Sequence, residues 1–263
     1  MNFCRPLLWE SQEICYNKSI EFFAEDRGET MAAIIKIENL RKVYPVGKER
    51  IVALNNISFD IEEGEICCIL GTSGSGKSTL LNQLAGLEKP TKGSVTIGKT
   101  NISVLSETRL AKFRQKYIGF VFQSYNLLPA YTALENVAMP LMFRGVPREQ
   151  RQKAAAEMLA LVGLEKRRDH YPSQMSGGQQ QRVGIARAFV ARPAVVYADE
   201  PTGNLDSKTT LEVMEMIRSF ARKFRQTIVM VSHDPQMAEY ADRILTLKDG
   251  EIISDERREN GDE

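Results

Sequence analysis

Gly71-Thr72-Ser73-Gly74-Ser75-Gly76-Lys77-Ser78-Thr79 is the stretch on which the fold turns. It has the spacing G-x4-G-K-[ST] and stands between an apolar run, Ile66 to Leu70, and a helical pattern, Leu80 to Leu87. Strand, glycine-rich loop and helix in that order make a phosphate cradle. The glycines let the backbone curl so that successive N–H groups point inward, and the helix N-terminus adds its partial positive charge. Lys77 can reach the β/γ oxygens of a nucleotide, and the Ser78 hydroxyl can ligate Mg2+. The bare pattern arises by chance in roughly one chain in a hundred of this length, so the flanking strand and helix carry the reading. Kinases, GTPases and ATPases all fit such a loop, and the rest of the chain must choose.

Outward from the loop, three apolar runs read as buried parallel strands: Ile66 to Leu70, Val195 to Ala198 and Ile228 to Val231. Each is followed by small or polar residues and then a helical stretch, which is α/β grammar. From Ile34 to Ile61, short β-branched runs are broken by Pro45, Gly47 and Asn55-Asn56, which predicts an antiparallel lobe. Between Gln123 and Gln174 the pattern turns helical and amphipathic, as in Arg148 to Val162, and predicts a helical lobe inserted between sheet elements. Asp249-Gly250 between Arg243 to Leu247 and Glu251 to Ser254 favours a hairpin. The expected division is an extension over 1–33, one catalytic domain over 34–254 with its helical lobe at about 124–180, and a charged tail over 255–263 that is too polar to pack.

With 35 basic against 34 acidic residues, there is no global electrostatic case for a nucleic-acid partner. No run approaches the ~18 apolar residues of a membrane span, and the N-terminus lacks the pattern of a secretion signal, so a cytosolic location is expected. Four cysteines are too few for a disulfide scaffold; Cys67 and Cys68 are adjacent in an apolar run and read as core thiols facing opposite ways. Cys4 and Cys15 lack the spacing of a metal site.

Val195 to Ala198 ends in Asp199-Glu200. One carboxylate can hold Mg2+ while the next, Glu200, orients and deprotonates an attacking water as general base. His233, at the end of another apolar run, can sense a γ-phosphate through a hydrogen bond. His170, beside Tyr171 and Pro172, reads as an ordinary loop residue.

At Ser176-Gly177-Gly178-Gln179, upstream of the Asp-Glu strand and opening the helical run Val183 to Val190, the chain resembles the signature segment of ATP-binding cassette (ABC) ATPases. A Ser hydroxyl and two Gly amides at a helix start make a second anion cradle. The resemblance covers about Ile34 to Ser254. It implies an α/β P-loop fold with a mostly parallel core sheet, an N-terminal antiparallel β-lobe and an inserted helical lobe. It also implies that Tyr44 stacks on adenine, that Gln123 in Phe120-Val121-Phe122-Gln123 reaches Mg2+ and the water, that Asn204-Leu205-Asp206 crosses to a second subunit, and that His233 is the switch histidine. Two copies, or paired ATPase subunits, would meet head to tail and enclose ATP between the Gly71 loop of one and the Ser176 segment of the other.

Ile118 to Pro129, Thr132 to Val137 and Ala198 to Asp206 look most like the MacB, LolD and FtsE group. That implies an ATPase driving a separately encoded integral-membrane permease from the inner face of the membrane, for export of peptides or antimicrobials or for lipoprotein release. Two departures from the pattern, Met175 for Leu and Gly203 for Ser, are expected to matter little. Tyr125 to Leu128 are expected at the permease surface, and Met139, Met142 and Phe143 in the core of the helical lobe. The competing reading, a soluble ABC ATPase acting on nucleic acid or ribosomes, expects tandem cassettes or a long coiled-coil insertion. Only about fifty residues, without heptads, separate Gln123 from Ser176. A GTPase or small-molecule kinase leaves Ser176 to Gln179 unexplained.

Overall fold

The computed structural model describes residues 33–258. The expectations for the N-terminal extension, Cys4 and Cys15 included, and for residues 259–263 lie outside the described residues.

Strands β1 (Ala33–Val46) and β2 (Glu49–Glu62) form a long antiparallel hairpin that continues through β4 (Lys92–Ile97) to β5 (Thr100–Asn101), in the order β2-β1-β4-β5. This is the antiparallel lobe read from the broken β-branched runs. A second sheet has the order β10-β9-β3-β8-β7-β6, with β3 (Ile66–Leu70), β6 (Ile118–Phe122), β7 (Val195–Asp199), β8 (Thr227–Ser232), β9 (Arg243–Lys248) and β10 (Glu251–Arg257). Its strands are parallel except for β10, which turns back on β9 through Asp249 and Gly250. Both turn residues have positive φ, 49° and 79°, as a two-residue primed turn requires.

The pleat explains how five residues of β3 serve two cores. Cys67 and Ile69 pack with Ile35, Ile37, Leu54 and Ile61 of the antiparallel lobe, whereas Ile66 and Cys68 pack with the helices on the other face. Burial pushes the Cys68 thiol up to about 12 and raises the Cys67 thiol well above its ordinary value, so neither is reactive near neutral pH, as expected of core thiols.

The helices are α1 (Lys77–Leu84), α2 (Glu107–Tyr117), α3 (Ala133–Phe143), α4 (Arg148–Leu161), α5 (Gly177–Val190) and α6 (Ser207–Phe224). Helix α6 shows why its sequence folds so. Asp206 caps its first turn by accepting from the Thr209 amide, and Val213, Met214, Ile217, Phe220, Ala221 and Phe224 recur at helical spacing on its buried face. Burying a side chain such as Ile217 or Phe220 contributes about 1.5–3 kcal/mol. No helix among the described residues is long and apolar enough to cross a membrane.

Two expectations are corrected. Asp255 to Arg257 pack as the end of β10, because Asp255 accepts a two-point hydrogen bond from Arg243, both at 2.7 Å, and Arg257 pairs with Glu62. Asp255 and Arg257, each neutralised by its partner, join the sheet, and Glu256 accepts from the Ser254 hydroxyl. In the helical lobe, Met142 and Phe143 are exposed, Phe143 by 61 %, because they lie at the end of α3 beyond its buried face of Ala133, Val137 and Ala138.

Candidate functional site

The phosphate loop leaves β3 and enters α1 through Gly76, whose φ of 104° no L side chain adopts without strain. A β-carbon there would also stand 2.6 Å from the Ala53 carbonyl oxygen. Lys77, only 6 % exposed, folds back so that its Nζ donates to the Gly71 and Thr72 carbonyls at 2.7 and 2.8 Å. Its ammonium therefore lies across the mouth of the loop formed by Gly71, Thr72, Ser73, Gly74 and Ser75. The Ser75 carbonyl accepts from the Gly250 amide at 3.0 Å, which ties the loop to the β9–β10 turn.

Register brings the other groups to the same edge. Leu70 of β3 lies beside Ser232 of β8, Val231 beside Asp199 of β7, and Asp199 beside Phe122 of β6. The phosphate loop, His233, Asp199-Glu200 and Gln123 thus each follow the carboxyl end of a parallel strand, where ligands of open α/β sheets bind. Neighbouring strands stand about 4.8 Å apart, so the residues that leave them share one crevice.

Within that crevice the Ser78 hydroxyl interacts with the Asp199 carboxyl. Burial, then the neighbouring Glu200, raise the Asp199 carboxyl above the ordinary carboxylate range, and Lys77 and Ser78 pull it back in part. Glu200 has φ 44°, a sparsely populated conformation for a side-chain-bearing residue, held by its amide donating to Val231 O at 3.1 Å. Its Oε1 lies 3.0 Å from His233 Nδ1. The two candidate catalytic groups are therefore already in contact.

Gln123 is half-buried, and its carbonyl accepts from the Asn204 side-chain amide at 3.0 Å. Tyr44 leaves β1 with its hydroxyl donating to Glu88 at 2.6 Å and interacting with Thr79, which brings its ring to the end of the phosphate loop. Lys42 Nζ stands 5.0 Å from that ring's centroid.

Ser176 is the N-cap of α5. Its hydroxyl accepts from the Gln179 amide at 3.3 Å, and the Gln179 side chain accepts from the Ser176 amide at 3.1 Å. Among the described residues no hydrogen bond joins this segment to the phosphate loop of the same chain. Its neighbours are elsewhere: a β-carbon at Gly177 would meet the Tyr125 hydroxyl at 2.7 Å, and one at Gly178 the Thr209 methyl at 2.7 Å.

Several residues at the site were not singled out from the sequence. Arg187 of α5, largely buried, donates to the Asn126 and Tyr125 carbonyls at 2.6 and 2.9 Å, fixing two consecutive left-handed residues after Gln123. Gln181, fully buried, donates to the Pro201 carbonyl and so ties α5 to the loop after Glu200. Tyr125 is half-buried against Gly177, while Leu128 of the same run is exposed, so only part of Tyr125 to Leu128 faces outward.

A phosphate loop after β3, with a metal-type and a base-type carboxylate after β7 of the same parallel sheet, defines a P-loop ATPase. The family model described as ABC transporter matches residues 54–203, and the chain belongs to that family. It is 46% identical over 228 residues to MJ0796 of Methanocaldococcus jannaschii, an ABC transporter ATP-binding protein, covering 85% of this chain and 97% of that one. The solved MJ0796 dimer in a post-hydrolysis state, bound to ADP and Pi, superposes with a TM-score of 0.78 at 45% identity over 85% of this chain and 98% of that chain. The lipoprotein-releasing system ATP-binding protein LolD of Bordetella avium is 46% identical over 224 residues, 85% of this chain and 97% of LolD. The macrolide export ATP-binding/permease protein MacB of Vibrio parahaemolyticus is 46% identical over 222 residues, 84% of this chain but 34% of MacB. The chain is an ABC ATPase, an ATP-binding subunit similar to the MacB and LolD proteins.

Proposed function

We propose that the chain binds Mg-ATP through Gly71, Thr72, Ser73, Gly74, Ser75, Gly76, Lys77, Ser78 and Thr79, with Tyr44 against the adenine. It closes on a second copy whose Ser176, Gly177, Gly178 and Gln179 cradle the same γ-phosphate, and it drives a separately encoded permease from the inner face of the cell membrane. The supporting observation is the division of the two cradles: one lies in the crevice with Asp199, Glu200, His233 and Gln123, and the other is held against Tyr125 and Thr209. ATP that touches both subunits favours the closed pair, and loss of the γ-phosphate removes those contacts.

The donor set at Ser78 and Asp199 fits Mg2+. Hard oxygens and a single carboxylate suit a cation that keeps several waters and shares phosphate oxygens, and no cluster of three or more His, Cys, Asp or Glu occurs among the described residues. Ser78 and Asp199 would hold the ion, with Gln123 completing its surroundings, and its chemistry there is to neutralise charge on the phosphates. Lys77 orients the β/γ oxygens, Glu200 takes the proton of the attacking water, and His233 holds Glu200 and reports the γ-phosphate. The relatives named for macrolide export and lipoprotein release suit a cargo that is an exported antimicrobial or a lipoprotein. The exposed Leu128, Tyr131, Met142 and Phe143 offer apolar contact for the permease.

Two variants test the cis half. Lys77→Ala is expected to weaken ATP binding about ten- to hundredfold, since hydrogen bonds to a charged group carry ~1.5–3 kcal/mol. Titration with a fluorescent ATP analogue reads this, and unchanged affinity rejects the role. Asp199→Asn is expected to raise the melting temperature of the nucleotide-free protein. The Asp199 pKa is raised on folding, so the folded chain binds more protons than the unfolded one between the two values, and stability falls as pH rises through that window. At neutral pH the ionised group therefore carries a penalty that the amide lacks. The same variant loses the stabilisation that Mg-ATP gives the native chain. Thermal scans against pH, with and without Mg-ATP, check both, and an unchanged nucleotide-free melting temperature counts against the buried charge.

A further inference from the structure

Gln123 is gripped twice by the loop that follows Glu200. A β-carbon on Gly203 would stand 2.6 Å from Gln123 Nε2, 3.1 Å from its Cδ and 3.3 Å from its Cγ, so the outer half of the Gln123 side chain lies along the bare Cα of Gly203. At the next residue the Asn204 side-chain amide donates to the Gln123 carbonyl oxygen at 3.0 Å. These residues are 80 and 81 positions from Gln123 in the chain, so only the fold brings them together.

The gripping loop is itself fixed at both ends. The Gly203 amide donates to the Glu200 carbonyl at 3.1 Å, which makes Glu200 to Gly203 a single turn. Within it, the Pro201 carbonyl accepts from the buried Gln181 of α5; beyond it, Leu205 N donates back to Thr202 O at 3.0 Å and Asp206 caps α6.

We propose that Gly203 and Asn204 are positioning residues that set where the Gln123 amide stands relative to Glu200. The absence of a side chain at 203 is thus functional, against the expectation that this departure matters little. The turn fixes the distance between the two groups that face the attacking water: Glu200 is its first residue and the rest of Gln123 leans on its last. A displacement of the loop moves both together, so a partner subunit that touches Asn204 to Asp206 changes the geometry of the water without touching it. The inference rests on the reading of Gln123 as a group that faces the cation and the water.

The substitution Gly203→Ala is a clean probe. Gly203 does not lie in the left-handed region, so alanine brings no backbone strain, and the atom it crowds most is the free end of a long side chain, which can swing away. The fold should therefore tolerate it while Gln123 moves. In the full-length protein, Gly203→Ala is expected to lower kcat about ten- to hundredfold, the cost of an ångström-scale misplacement of a group at the reacting centre, with the KM for ATP and the melting temperature little changed. Asn204→Ala should act in the same direction and less strongly.

The deciding measurement is the double-mutant cycle. When Gln123→Ala is already present, Gly203→Ala is expected to change kcat by less than about twofold, because nothing is left for the new methyl to displace. A Gly203→Ala protein with native turnover overturns the proposal, as does an equal fold-loss in both backgrounds, which would mean that the methyl acts on the loop and not on Gln123. The two readings separate cleanly. If Gln123→Ala keeps native turnover, the role of Gln123 falls and the clamp with it; if Gln123→Ala loses turnover and Gly203→Ala does not, the clamp alone falls.

Discussion

Glu200→Gln binds ATP as tightly as the native chain and turns it over at least about 10²-fold more slowly, the loss typical of a removed general base. The substitution is nearly isosteric, so the side chain still fills its place beside His233, with Oε1 3.0 Å from Nδ1 in the native chain. The left-handed backbone at 200, φ 44°, is unaltered in cost because glutamine and glutamate share the same Cβ constraint. What changes is basicity: an amide cannot accept the proton of the attacking water. One negative charge also leaves the neighbourhood of Asp199, whose raised pKa owes its second cause to Glu200, so cation binding at Asp199 should persist to lower pH in the variant. Phosphate release under saturating Mg-ATP, beside equilibrium binding of the same nucleotide, separates the two effects. Near-normal turnover removes Glu200 from the role of base.

Ser176→Arg is expected to abolish ATP-driven pairing and with it turnover, while each monomer still binds ATP. Ser176 is exposed and caps α5 through a reciprocal pair of hydrogen bonds with Gln179. Losing that cap costs about 1 kcal/mol of local helix stability, too little to unfold the chain. On the proposed pairing, however, the long arginine would fill the cradle that the partner's γ-phosphate enters. Ser176→Ala is the control, since it removes the cap without blocking the space and should pair with reduced affinity. A Ser176→Arg protein that still dimerises on ATP contradicts the cradle in trans.

The parts of the site legible in the sequence are those whose chemistry is local. The phosphate loop, Asp199-Glu200 and His233 each sit at the end of an apolar run, and a short apolar run such as Ile66 to Leu70 or Ile228 to Val231 reads as a strand on its own. The parallel order of those strands followed from the helices between them. Strand β6 and helix α2 were less visible, because Gly119 and the charged Lys112, Arg114 and Lys116 blur their periodicity.

Contacts between residues far apart in the chain were not legible. That Gly177 leaves room for the Tyr125 hydroxyl, or Gly203 for Gln123, depends on side-chain positions that only the packed fold defines. The same is true of Arg187, which reads as an ordinary helix residue until it is found buried against two left-handed carbonyls. Charge pattern misled at Asp255 to Arg257, where Asp255 has its partner on β9 and Arg257 on β2. Hydropathy misled at Met142 and Phe143, which α3 carries past the end of its buried face.

The measurement that bears most directly on the account is the molecular mass in solution of Glu200→Gln, with Mg-ATP and without nucleotide. If ATP bridges the Gly71 loop of one copy and the Ser176 segment of the other, as proposed, blocking hydrolysis leaves it unconsumed and the closed pair accumulates. The expected result is a monomer without nucleotide and a dimer with Mg-ATP that reverts to monomer in ADP. A protein that binds ATP but keeps the same mass in all three conditions contradicts a site shared between two copies.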